Sequence, residues 1–281
     1  MALFGVIGDP IAHSMSPLMH KSAFNDKGID AEYVKFHVQK EQLPDAILGI
    51  KALGIRGVNV TVPHKEHVMS LLDRIDPLAE AIGAVNTIVN ESGKLIGYNT
   101  DGLGFVEGLK KIAGEQLENK SMLIIGAGGA ARAIYYTLAS SGVKRIDVTN
   151  RTPGRAEKMI EGCPFELHSD FLPLEASEKT LQQYDVIIQT TSIGMFPHIE
   201  DSPLVISDLK HGSIVSDIIY NPLETALLKQ AKQKGALTQN GLDMFVYQGA
   251  HSFKMWTGIT PSYTIMKNTV LQQLGGQHVN R

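Results

Sequence analysis

The sequence predicts a two-domain α/β protein. Short apolar, β-branched runs alternate with helix-forming stretches through both halves of the chain, the pattern of strands joined by crossover helices. One strand opens directly into a glycine-rich turn and a helix. Two helical segments at the end, residues 245–256 and 262–274, belong to neither alternation.

In the first half, strands are expected at residues 3–7, 33–38, 58–62 and 85–89, with helices at 17–25, 43–53 and 65–72 between them. That order predicts an open, mostly parallel sheet. Ser92-Gly93 then turns a hairpin into residues 94–99, and a helix over 101–112 leads out. The second half shows strands at 121–125 and 145–149, near 186 and near 214, ending at 236–238. The last two helices are expected to pack back on the first sheet. The division is therefore 1–101 plus 241–281 for a substrate domain and 102–240 for a nucleotide domain. The crossings near residues 101 and 240 would act as hinges around a shared cleft.

Composition bounds the function. At 281 residues the length suits roughly two domains of ~150 residues. With 43% apolar residues, 20% charged residues and a formal charge of -3, nothing suggests a nucleic-acid partner. Cys163 is the only cysteine, which excludes an intrachain disulfide and a thiolate metal cluster and fits a reducing cytoplasm. The apolar start lacks a basic region and meets Asp9-Pro10 too early for a signal peptide. No apolar stretch approaches the ~18 residues of a spanning helix, so no membrane partner is expected.

Gly126-Ala127-Gly128-Gly129-Ala130-Ala131 follows the strand at 121–125 and opens a helix. Gly126 and Gly128 let the backbone bend and approach a pyrophosphate, Ala131 keeps helix and sheet close, and free helix N–H groups face the anion. Strand, turn, helix and strand in that order describe a Rossmann-type dinucleotide site. An NAD site places Asp or Glu about 20 residues on, to hold the ribose 2′-hydroxyl. Here stand Asn150-Arg151-Thr152, with Arg155 one turn further. Guanidinium groups and a hydroxyl suit a 2′-phosphate, which a carboxylate would repel. The cofactor predicted is NADP, against the competing reading of solvated surface arginines.

Polar residues of the first domain gather at strand ends, where open parallel sheets form their crevice. Ser14 and Ser16 precede Pro17; Ser16 reads as an N-cap, and the two hydroxyls together also make a seat for a carboxylate. Asn59 and Thr61 share one face of their strand, and Pro63 resets the chain into a helix carrying Lys65. Asn86 lies in the strand at 85–89, and Asp101 opens the next helix. Lys65 also reads as a surface cation and Asp101 as a cap. His64 and His67 lack a third ligand at metal spacing and read as structural or solvated, so no metal is expected. No Gly-x-Ser-x-Gly elbow supports serine hydrolysis. A nicotinamide enzyme needs a proton donor beside a carbonyl and hydrogen bonds that fix the substrate. Lys65 is the favoured acid with Asp101 orienting it, and the reverse assignment stays open.

The motifs, taken together, resemble the shikimate dehydrogenase family, within the shikimate/quinate dehydrogenases. They are Gly8-Asp9-Pro10-Ile11-Ala12-His13-Ser14-Met15-Ser16-Pro17, Asn59-Val60-Thr61-Val62-Pro63-His64-Lys65, Ala84-Val85-Asn86-Thr87 and Asn99-Thr100-Asp101-Gly102, then the glycine loop through Arg132, Asn150-Arg151-Thr152, Asp217-Ile218-Ile219-Tyr220-Asn221-Pro222, and Gly241-Leu242-Asp243-Met244 through Gln248. The resemblance spans essentially the whole chain. It implies reversible reduction of 3-dehydroshikimate to shikimate with NADPH, on the route to chorismate and the aromatic amino acids. It implies that Ser14, Ser16 and Tyr220 hold the carboxylate, that Thr61, Lys65, Asn86, Asp101 and Gln248 hold ring hydroxyls, and that Lys65 and Asp101 are the catalytic pair. On the cofactor side it implies that Gly126, Ala127, Gly128, Gly129 and Ala130 cradle pyrophosphate. Asn150, Arg151, Thr152 and Arg155 would hold the adenosine phosphate end, and Ile218, Gly241 and Met244 would flank nicotinamide. Without the resemblance, Ile218 and Met244 read as core and Gly241 as a turn residue. It favours a homodimer over a monomer. Gln189, where many relatives carry Asn, and Phe245, where Leu is common, are departures. The rival readings are a quinate/shikimate dehydrogenase using NAD and a nucleotide-responsive binding protein without chemistry.

Overall fold

The structure, a computed structural model, describes residues 1–279. The chain divides into two compact units, Met1–Gly104 with Val246–Arg281, and Phe105–Phe245.

In the first unit, β1 (Ala2–Gly8) pairs in parallel with β2 (Ala31–His37) and β3 (Gly57–Val60), and α1 (Ser16–Asp26) and α2 (Leu43–Ala52) make the connections. β4 (Arg74–Ile75) and α3 (Pro77–Ile82) follow, then the hairpin of β5 (Thr87–Glu91) and β6 (Lys94–Tyr98) turning at Ser92 and Gly93, both with positive φ. The strand order is β2-β1-β3-β5-β6-β4. The expected open, mostly parallel sheet is present, with one refinement: β5 runs antiparallel to β3. The link between β3 and β5 is not a single crossover helix: it is spent on the turn at Met69–Leu71, on β4 at the far edge of the sheet and on the short α3, and the chain re-enters the sheet in the opposite sense. α3 itself has sharp signals at both ends. Asp76 accepts from the N–H groups of Leu78 and Ala79, Pro77 occupies the first turn, and Gly83 closes it at φ 70°.

The helix expected over 65–72 does not form; turns and one 3₁₀ turn at Met69–Leu71 stand there. The Lys65 carbonyl accepts the Val85 N–H at 2.8 Å, so the acceptor a helical Met69 would use is committed to another segment.

α4 (Asp101–Ala113) leads into the second unit, where every strand pair is parallel. Its elements are β7 (Ser121–Ile125), α5 (Gly129–Ser140), β8 (Arg145–Thr149), α6 (Pro153–Glu161), β9 (Phe171–Leu172), α7 (Leu174–Glu178), β10 (Val186–Gln189), β11 (Ile214–Asp217), α8 (Ala226–Gln233) and β12 (Leu237–Gln239). The order β12-β11-β10-β7-β8-β9 reverses between β7 and β10, the Rossmann arrangement with its switch point directly above the glycine loop. β10 and all but the first residue of β7 are buried, which is why they read as unbroken apolar runs. Leu123, Ile125, Ile187, Val215 and Leu227 form the core between sheet and helices.

α9 (Leu242–Thr257) and α10 (Tyr263–Val279) end the described chain, and α10 packs on α1. From α9, Trp256 donates its indole N–H to the Ile88 carbonyl at 3.0 Å and fills the space a side chain at Gly57 would need. His20 is fully buried in this aromatic cluster, stacked on Tyr33 at 4.5 Å. Burial pulls its pKa down to about 3, with the Asn59 side chain opposing. His20 is therefore neutral when folded and protonates near 6.5 when unfolded, so the stability it allows is complete above pH 6.5 and lost as pH falls towards 3. By pH 5 the loss is about 2 kcal/mol. Urea midpoints at pH 7 and pH 5 check this: His20→Phe should lose less between the two than the parent, and equal losses would contradict it.

Among the described residues, no helix is long and apolar enough to cross a membrane.

Candidate active site

In the first unit the ends of β3 and β6 and the start of β5 bring Lys65, Asn86 and Asp101 together. Asp101 is the first residue of α4: its N–H is taken by the Asn99 side chain at 3.1 Å and the Gly104 N–H by the Thr100 carbonyl at 2.9 Å, while its carboxylate turns to other partners. One oxygen accepts from Lys65 Nζ at 2.5 Å and the other from Asn86 Nδ2 at 2.8 Å. These contacts replace both the surface-cation reading of Lys65 and the cap reading of Asp101. Their side chains are 30% and 15% exposed, so solvent-borne molecules can reach the pair. Asn86 precedes β5 instead of lying within it, and is nearly inaccessible.

Ser16 is the first residue of α1, not its N-cap; Met15 holds that position, and the Ser14 hydroxyl accepts the Ser16 N–H at 3.3 Å. Ser14 can satisfy this helix end because Pro17, next in line, has no N–H to offer. The Ser16 hydroxyl acts on Tyr33, whose own hydroxyl burial pushes well above the usual phenol range. Thr61 sits just past β3, its methyl against Gly8 and its N–H on the Ile7 carbonyl at 2.9 Å. Gln248 lies on α9, its backbone carbonyl within 3.0 Å of the Ser252 hydroxyl. Of the carboxylate and hydroxyl binders expected, only Tyr220 falls in the second unit, its ring 5.0 Å from that of Phe245. Phe245, where many relatives were expected to carry Leu, is only partly buried. His64 is buried with a ring nitrogen 2.7 Å from the Val38 carbonyl oxygen, a structural bond. Among the described residues no group of His, Cys, Asp and Glu is disposed to hold a metal.

In the second unit the glycine loop leaves β7. Gly126 has φ 111°, and a Cβ there would fall 2.5 Å from Thr190 Oγ1, so both conformation and contact demand glycine. At Gly128 and Gly129 a Cβ would meet nothing within 4 Å. The start of α5 thus presents an open backbone with its N–H groups outward, the cradle a pyrophosphate needs. At the end of β8, Asn150 Nδ2 donates to the Thr152 carbonyl at 2.8 Å and fixes the turn into α6. Arg151 and Arg155 are exposed, and neither side chain has a hydrogen-bond or ion-pair partner among the described residues. Gln189 closes β10 by bonding Thr191 through both amide ends and the Ile193 carbonyl, so the longer side chain is fully used within its loop.

Asp217 ends β11, accepting from the Ile219 N–H at 2.9 Å and the Thr225 hydroxyl at 2.8 Å, and burial pushes its pKa up to about 6. Beyond it, Gly241 lies against the Ile218 backbone: a Cβ would fall 1.9 Å from the Ile218 carbonyl oxygen. This contact, more than a turn, is what position 241 requires. Gly241→Ala should cost about 1 to 3 kcal/mol of stability, the usual penalty for overpacking against atoms that cannot move aside. Chemical denaturation measures it, and a variant as stable as the parent would contradict the contact. Ile218 and Met244 are both partly buried, neither sealed in the core.

Family models match three stretches: the shikimate dehydrogenase substrate binding domain over residues 6–88, shikimate / quinate 5-dehydrogenase over 107–200, and the shikimate 5'-dehydrogenase C-terminal domain over 241–271. A shikimate dehydrogenase (NADP(+)) of Bacillus cereus is 57% identical over 98% of this chain and 99% of its own. The chain belongs to the shikimate dehydrogenase family. Among solved structures, the Thermus thermophilus shikimate 5-dehydrogenase in complex with NADP(H) and shikimate superposes with a TM-score of 0.87 at 36% identity, covering 97% of this chain and 99% of that one. A Corynebacterium glutamicum quinate dehydrogenase in complex with NAD superposes at 0.89 with 28% identity, covering 96% and 99%.

Within this family fold, several residues around the Lys65 pair were not singled out from sequence. Thr87, Thr100 and Ser252 are fully buried and hydrogen-bonded to one another, through Thr87 and Thr100 to Asn86 and, through Thr87 and Ser252, to Asn59. A signal for Ser252 was present: it lies four residues after Gln248 and so on the same helical face.

Proposed function

We propose that this chain is an NADP-dependent shikimate dehydrogenase, reducing 3-dehydroshikimate to shikimate and catalysing the reverse reaction, on the route to chorismate and the aromatic amino acids. The observation that carries the reading is the Lys65–Asp101–Asn86 constellation, supported by 57% identity to a named NADP(+) enzyme over nearly the whole chain. NADPH, when bound, supplies the hydride that reaches the substrate carbonyl carbon. Lys65 Nζ gives a proton to the carbonyl oxygen as charge develops there, and takes it back in the oxidative direction. Asp101 holds that ammonium in place and accepts from a ring hydroxyl, while Asn86 fixes the carboxylate from behind. Ser14 and Ser16 at the start of α1 hold the ring carboxylate, and Thr61 and Gln248 take the remaining oxygens.

The residues for the cofactor suit it. Gly126 to Ala130 cradle the pyrophosphate, and Asn150, Arg151, Thr152 and Arg155 hold the 2′-phosphate end with no carboxylate at the strand terminus to oppose it. Ile218, Gly241 and Met244 flank the nicotinamide. That basic segment argues against an NAD-linked quinate enzyme. The protein works in the cytoplasm, as a homodimer. Steady-state rates with shikimate and quinate, each with NADP and NAD, test the function: shikimate with NADP should turn over fastest. Faster turnover of quinate with NAD would overturn the reading, and no turnover in any combination would favour a binding protein.

A further inference from the structure

Asp101 receives its two hydrogen bonds from groups that must point the right way. Lys65 has only protons to offer, but Asn86 has two ends. Were its amide reversed, an oxygen would face the carboxylate and repel it. The orientation is fixed from the far side. Asn86 Oδ1 accepts the Thr100 backbone N–H at 2.8 Å, a donor that cannot reverse, and the Thr87 hydroxyl at 3.0 Å.

Thr87 has a choice of its own, because its hydroxyl also lies 2.8 Å from Ser252 Oγ. Two neighbours remove the choice. The Ser252 hydroxyl supplies the proton of that 2.8 Å contact, which is shorter than its alternative, the Gln248 carbonyl one turn back on α9 at 3.0 Å. Asn59, whose oxygen is occupied by the Tyr33 hydroxyl at 2.7 Å, sends its amide protons to Thr87 Oγ1 at 3.1 Å and Ser252 Oγ at 3.0 Å. The Thr87 oxygen, accepting from Asn59 and Ser252, is then filled and its own proton goes to Asn86. Every bond from Tyr33 through Asn59, Thr87 and Asn86 donates in one direction, towards the Asp101 carboxylate. Chains aligned in this way polarise one another in a low-dielectric interior.

We propose that Thr87 and Ser252 are positioning residues for this reaction: they lock the Asn86 amide that holds the Asp101 carboxylate beneath Lys65. Both are fully buried, so neither meets a molecule entering from solvent, and each acts only through Asn86. The proposal rests on Lys65 and Asp101 being the reacting pair.

Thr87→Val keeps shape and strand preference and removes the hydroxyl; Thr87→Ser keeps the hydroxyl. Ser252→Ala places the best helix former in α9 and guards against a folding failure at position 87. Steady-state kinetics with shikimate and NADP should show kcat about tenfold lower for Thr87→Val, an order below the full effect of a positioned acid. The KM for NADP should stay at the parent value, and Thr87→Ser should recover most of the rate. Ser252→Ala should lower kcat in the same sense. The double variant Thr87→Val/Ser252→Ala should lose much less than the product of the single losses, because both act on one chain of bonds. Parental kcat in Thr87→Val and Ser252→Ala, or Thr87→Ser as slow as Thr87→Val, overturns the proposal. An inactive parent would instead remove the functional reading and the proposal with it.

Discussion

Lys65→Ala should lower kcat for shikimate oxidation by at least about 10²-fold, the low end for a positioned acid or base, with folding intact and the KM for NADP unchanged. Three observations set the size and the selectivity. Lys65 Nζ is 2.5 Å from Asp101 and partly exposed, so it is the charged donor available to a bound ring. The Lys65 backbone is held independently by the bond from Val85 to its carbonyl, so truncating the side chain leaves the loop anchored. The cofactor residues lie in the other unit.

Lys65→Arg should not rescue the rate. A guanidinium is planar, bulkier and effectively never deprotonated, so it can pair with Asp101 but cannot pass a proton back and forth. Steady-state rates of the two variants, with circular dichroism as the folding control, decide the matter. An unchanged rate in Lys65→Ala would remove Lys65 from the chemistry and leave Asp101 as the group to test.

Much of this architecture was legible in the sequence because the signals were local. β7 and β8 match their expected bounds residue for residue: β7 as a buried parallel strand that is almost wholly apolar, β8 through its β-branched Ile146, Val148 and Thr149. The glycine loop and the basic segment after β8 are likewise contiguous, and their chemistry follows from residue type alone. What escaped was non-local. Residues 65–72 have helical composition, yet the bond from Val85 to the Lys65 carbonyl comes from a segment twenty residues away and ends the helix before it starts. The direction of β5 depends on where the link from β3 takes the chain, out to β4 at the far edge of the sheet and back. In the site, Lys65 and Asp101 could be named from type and position, but whether the lysine faced solvent or the carboxylate capped its helix was decided by their contact with each other and by Asn86, from segments far apart in the chain. Thr87 and Ser252 were the hardest to see. They are small, buried and 165 positions apart, and a hydroxyl shows its purpose only through its partners.

Arg151→Ala should weaken NADPH by roughly 1.5 to 3 kcal/mol, the range for hydrogen bonds to charged groups, and barely alter NADH. That corresponds to about 10-fold to 150-fold in the dissociation constant. The selectivity follows from what the two cofactors do not share: the 2′-phosphate alone distinguishes them, while the glycine loop serves both. Arg151 is exposed at the end of β8 with no acidic partner among the described residues, so binding a phosphate breaks no existing ion pair. Exposure also makes the contact sensitive to screening, and the preference for NADPH over NADH should shrink as salt rises from low to physiological ionic strength. Arg155, one turn into α6, is near enough to share the load, so Arg151→Ala/Arg155→Ala should fall further than either single change. Arg151→Lys should recover part of the loss, keeping the charge but not the two-pronged fork. Dissociation constants for both reduced cofactors, from fluorescence titration at two salt concentrations, measure all of this. An equal loss for NADPH and NADH would place Arg151 on a part common to both, and the phosphate specificity would then have to come from Thr152 or Arg155.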